Sequence, residues 1–85
     1  MMKRKQTLGN QNVVGHRVTA IRKKKGMKQC ELLAKLQTAG IDINPAALSK
    51  LEGQVRFCKD YELSALAEIL GVTTDWLLGR EATGK

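Results

Sequence analysis

Few side chains in this 85-residue chain could carry nucleophilic, acid–base or metal chemistry, and their spacing does not assemble a site. His16 is the only histidine. It has no carboxylate or cysteine beside it at a catalytic or metal-ligand interval, so a surface or phosphate-adjacent role is expected of it. Cys30 and Cys58 are the only cysteines and form no Cys-x-x-Cys pair. As reduced thiols they read as small apolar residues. No catalytic residue, metal ligand set or cofactor is predicted. What remains is cationic chemistry, because the formal net charge is +7, a balance that favours an anionic partner such as nucleic acid or an acidic membrane surface.

The charge is unevenly placed. Residues 1 to 28 hold nine bases and no acid, whereas the remainder holds six bases and eight acids. Within the first block, Lys3, Arg4 and Lys5 belong to a basic, mobile arm over residues 1–11, and Lys23, Lys24 and Lys25 suit a helix C-terminus, where cations complement the dipole. The arm lacks the apolar run of a signal peptide, and no stretch has the length of a membrane span, so a cytoplasmic location is expected. A chain of this size forms one domain with little room for a deep active site. The domain is expected over 12–79, with a polar tail over 80–85.

Apolar periodicity and helix punctuation predict an all-α fold of five short helices. In the first, Val14, Val18 and Ile21 share a stripe, Asn10 or Asn12 is the expected cap, and Gly26 ends it. The second runs from near Lys28 to about Ala39 with Leu32, Leu33 and Leu36 inward, and Gly40 supplies its left-handed exit. Lys28 is a poor cap: it accepts no hydrogen bond and puts positive charge at the positive end of the dipole, so an anion is expected to compensate there. Asn44-Pro45 signals the start of the third helix, in which Leu48 and Leu51 face inward and Gly53 closes. Asp60 is the expected cap of the fourth, with Leu63, Leu66, Ala67 and Leu70 inward before Gly71. Thr74 is the expected cap of a fifth, single-turn segment containing Trp76 and Leu77.

The order of these pieces resembles the lambda-repressor-like, Cro-type (XRE) helix-turn-helix family over residues 14 to 79. Four stretches carry the resemblance: RVTAIRKKKGMKQCELLAKL, INPAALSKLEG, ELSALAEILGV and TTDWLLG. It implies a helix-turn-helix formed by the second and third helices, with the third laid in the major groove of double-stranded DNA. The positions similar to the family's base readers are Pro45, Ala46 and Lys50, of which only Lys50 can donate to a base edge. Gln29 matches a phosphate-contacting glutamine, and Lys28 beside it is read as a second phosphate ligand. Arg17, Asn44, Ser49, Gln54, Arg56 and Lys59 complete the expected DNA backbone contacts. Arg22 and Glu52 match an ion pair that joins the first and third helices in relatives.

Three departures from the family pattern stand out. The connection Gln37 to Asp42 is about five residues longer than the tight turn of the motif. Leu33 replaces a small alanine, which implies a wider helix separation, and Gly53 replaces an asparagine. Val55, Phe57 and Leu78 are candidate homodimer contacts. The expected function is transcriptional regulation, as a repressor dimer on a palindromic operator. The alternative is an antitoxin-like module that binds a partner protein as well as its own operator.

Overall fold

Five helices form within a residue or two of where these signals place them. The computed structural model describes residues 9–80, an all-α arrangement of α1 (Gly15–Lys24), α2 (Gln29–Thr38), α3 (Pro45–Glu52), α4 (Asp60–Leu70) and α5 (Thr74–Leu77). Lys3, Arg4 and Lys5, and the tail beyond Arg80, lie outside the described residues. Residues 9–11, assigned above to a mobile arm, are instead tied down: Gly9 N–H donates to Gly53 O at 2.9 Å and Gln11 N–H to Gln54 O at 2.9 Å.

Of the two asparagines considered for α1, Asn12 does the capping. Its Oδ1 accepts from Val14 N–H at 3.0 Å and Gly15 N–H at 2.7 Å. At α2 the expected compensating anion is Glu31, whose carboxylate accepts the Lys28 N–H at 2.7 Å and brings negative charge to the first turn. The same device opens α4. Lys59 N–H donates to Glu62 at 3.0 Å, so Asp60 is the first helical residue and not the cap. Thr73, rather than Thr74, caps α5 by accepting Trp76 N–H at 3.0 Å. Asn44 and Pro45 act as predicted, with Asn44 Oδ1 accepting Ala47 N–H at 2.7 Å.

The core draws on every helix: Val18 of α1, Leu32 and Leu36 of α2, Leu48 and Leu51 of α3, Leu66 and Leu70 of α4, and Leu77 of α5 are all buried. Leu33 and Leu63, predicted inward, are only partly buried at its edge. The long connection between α2 and α3 is ordered from within, since Ile43 is buried and Gln37 Nε2 donates to its carbonyl at 3.0 Å. α3 is packed between α1 and α2, while α4 supports α1, α2 and α5. No helix among the described residues is long and apolar enough to cross a membrane.

The approach of α1 to the end of α3 demands glycine. A Cβ on Gly15 would sit 2.2 Å from Leu51 O, and one on Gly9 would sit 2.1 Å from Gln54 O; both obstacles are backbone, which cannot swing aside. Gly15→Ala therefore sets two effects against each other. Alanine gains about 1 kcal/mol of helix propensity, but the forced separation costs about 1–3 kcal/mol and loosens the Asn12 contacts as well. Urea denaturation is expected to show a net loss of stability, and a neutral or stabilising substitution would contradict this packing.

Candidate nucleic-acid interface

α3 is only eight residues long, and its two faces differ sharply. Leu48 and Leu51 are buried, whereas Pro45, Ala46, Ser49 and Lys50 are exposed at positions that share the opposite side. Asn44 caps the helix from its exposed N-terminal end. A cleft of about 100 Å³ lined by Gln29, Cys30, Leu33, Pro45 and Leu48 separates the starts of α2 and α3, so Gln29 and the first residues of α3 lie side by side. Leu33 forms one wall of this cleft.

The inner side of α3 is clamped by charge. Arg22 Nε donates to Glu52 Oε2 at 2.8 Å and its second terminal nitrogen to Oε1 at 3.0 Å, a bidentate pair with both side chains at or below 10% exposure. Arg22 also donates to Met27 O at 2.9 Å. Gln29 joins the cluster, its Nε2 donating to Glu52 Oε1 at 3.0 Å, which leaves one side-chain N–H for an outside ligand.

Other expected backbone contacts prove to be committed inside the molecule. Arg56 forms a second bidentate pair, both terminal nitrogens donating to Glu62 at 3.0 Å, and also donates to Phe57 O. Its charge is thereby neutralised. Gln54, expected to reach phosphate, is buried at 7% exposure with φ +63°, and its Nε2 donates to Asn12 O at 2.9 Å. Its Oε1 is buried without a hydrogen-bond partner among the described residues. Arg17 lies over the Trp76 ring at 5.2 Å, which ties α1 to α5 and keeps the guanidinium with that indole. Lys28, Lys50 and Lys59 are exposed and make no salt bridge among the described residues. Lys59 Nζ leans over Tyr61 at 5.8 Å.

Sequence reasoning missed Glu31, Glu62 and the full reach of Asn12. The first two were signalled by Lys-x-x-Glu at both helix starts, a spacing that serves the glutamate half of a capping box even where lysine has no acceptor to offer. Arg56–Glu62 and the Asn12 contacts join segments whose proximity only the packed fold creates. Val55, Phe57 and Leu78, the candidate dimer contacts, are 49%, 71% and 37% exposed. His16 and Cys30 are exposed, while Cys58 is half-buried and its thiol is pushed up to about 11 by burial, with Glu62 adding to the rise and Arg56 opposing it.

No family model matches the chain, and no curated protein matches it significantly.

Burial alone would raise the Glu62 carboxyl, but hydrogen bonds from Arg56 and the Lys59 amide outweigh it and hold the group below its ordinary value of 4.5. A carboxylate depressed by folding stabilises the fold above the unfolded-state value, and that stabilisation is lost as pH falls through the folded one. Thermal melts between pH 7 and 2.5 are expected to show stability falling from about pH 4.5 downward, with Glu62→Gln starting lower at neutral pH and flattening part of that fall. Identical profiles for the two proteins would contradict the role given to the pair.

Proposed function

We propose that this chain is a small sequence-specific DNA-binding regulator with a lambda-repressor-like fold of the Cro type, in which α2 and α3 form the helix-turn-helix and α3 enters the major groove. The observation that carries the reading is the two-faced α3: an outward face of Pro45, Ala46, Ser49 and Lys50 on a helix whose inner side is fixed by leucines and by Glu52. An α-helix fits the major groove, and a second helix start beside it can point open amides and Gln29 at a phosphate. The surplus positive charge of the chain, with Lys28, Lys50 and Lys59 exposed, supports a polyanionic partner.

Base reading in this arrangement is sparse. Lys50 supplies the hydrogen bonds, Ala46 and Pro45 offer apolar contact to thymine methyls, and the rest of the discrimination comes from the shape and deformability of the duplex. Backbone contacts fall to Lys28, Gln29, Asn44, Ser49 and Lys59, while Arg56, Arg17 and Gln54 serve the fold. Glu31 takes the Lys28 amide and offsets the dipole but leaves the first amides of α2 open, so Lys28 acts on phosphate as an exposed charge beside them. The chain works as a homodimer through the exposed Val55 and Phe57 loop with Leu78, as a repressor acting in the cytoplasm.

Selection from a random duplex pool followed by salt titration tests this directly. The binding constant is expected to fall with salt at a log–log slope of about −0.9 per phosphate neutralised. Lys50→Ala should relax preference at one position of the half-site, by about 1–3 kcal/mol, and leave the others intact. Failure to enrich any sequence would contradict the proposal.

Phe57→Glu places a charge in the proposed two-fold contact. Sedimentation is expected to show the wild type as a dimer and the variant as a folded monomer, with weaker binding to a near-palindrome whose half-sites lie roughly 34 Å apart. A wild-type monomer, or a variant that remains dimeric, would exclude this interface.

A further inference from the structure

One polar side chain does far more than cap α1. Asn12 uses its whole hydrogen-bonding capacity: Oδ1 accepts from the Val14 and Gly15 amides, while Nδ2 donates to Leu51 O at 3.1 Å and Arg56 O at 2.8 Å, groups 39 and 44 residues away. Its own carbonyl receives Gln54 Nε2. The donors therefore meet the last turn of α3 and the loop that leaves it, and Gln54 returns the contact from a left-handed conformation that a residue with a side chain adopts only when its surroundings enforce it.

We propose that Asn12 is a positioning residue for base reading, setting the last turn of α3 and with it the direction of Lys50. The inference rests on the DNA-binding reading above. Lys50 belongs to that last turn and directly precedes Leu51, the residue whose carbonyl Asn12 holds. The ends of a helix fray unless their open carbonyls find partners. At the far end, Pro45 and Ala46 are secured independently by the Asn44 cap. Leu51 O and Lys50 O also take the Gln54 and Val55 amides at 3.0 and 2.9 Å, so the Asn12 donors tie a turn already closed by backbone to the start of α1; their loss loosens the turn that carries Lys50 and leaves Ala46 in place.

Two substitutions separate capping from positioning. Asn12→Ser keeps an oxygen for the α1 amides but cannot reach both carbonyls, and Asn12→Asp keeps the shape while replacing both donors by a charge that faces two carbonyl oxygens. Each variant is compared with wild type on the selected operator and on single-base variants of it, well below its melting temperature. In both variants, preference at the base pair read by Lys50 is expected to fall about tenfold, the scale of one lost base contact. Preference at the other positions and the salt slope should be unchanged. In a double-mutant cycle, adding Asn12→Ser to Lys50→Ala should cost no further preference at that base pair.

A folded Asn12→Ser protein that retains full preference, or that loses it equally at all positions, would overturn the positioning role and leave Asn12 a structural residue. Additive losses in the cycle would do the same. A wild-type protein that enriches no duplex would instead remove the DNA-binding reading, and this inference with it.

Discussion

The fold turns on a buried carboxylate. Glu52 lies on the inner side of α3 and receives Arg22 from α1 and Gln29 from α2, while Arg22 in turn holds the carbonyl of Met27 between those two helices. One charge pair therefore fixes three helices and a turn. Taking both ions out of water is costly, and a well-packed apolar replacement of the pair can be as stable. What such a pair provides that leucines do not is direction: a planar guanidinium on a carboxylate permits one geometry, whereas apolar contacts tolerate rotation. Removing either partner alone would leave an uncompensated buried charge, at a cost of about 3–5 kcal/mol. The rotation of α3 about its own axis, and so the identity of its outward face, depends on this contact.

The cationic side chains divide into two groups once the contacts are known. Arg22 and Arg56 are spent on carboxylates, and Arg17 is drawn over an indole. Among the described residues, exposed lysines together with Arg80 carry what is left. This division fits the different chemistry of the two residues, since arginine forms directional, partly buried pairs while lysine remains a hydrated point charge. Net charge read from composition thus overstated how many bases face outward around α3.

Much of the architecture was legible in the residues themselves. Asn44-Pro45, the leucine spacings and the glycine stops placed five helices within a residue or two, because these signals act locally. Boundaries slipped at α4 and α5, where a backbone amide bonded to Glu62 and a threonine one position earlier took the capping role. The outward residues of α3 followed from the same periodicity. The internal partners of Gln54 and Arg56 were not legible: both were expected at DNA phosphates, and the groups that engage them, Asn12 and Glu62, come from segments whose contact depends on how the chain turns after α3. Polarity indicates that a group needs a hydrogen bond and says nothing of whether protein or an outside ligand supplies it.

α3 presents Pro45, Ala46, Ser49 and Lys50 outward and is steadied from behind by leucines and Glu52, and the proposed reading of DNA falls to that outward face. Backbone amide shifts recorded while a duplex from the selected pool is titrated into the labelled protein test it most directly. The largest changes are expected at Ala46, Ser49 and Lys50 and at the start of α2 around Gln29, with Val18, Leu66 and Leu70 barely affected. Changes centred on Lys23 to Lys25 or on α5, with α3 silent, would contradict it.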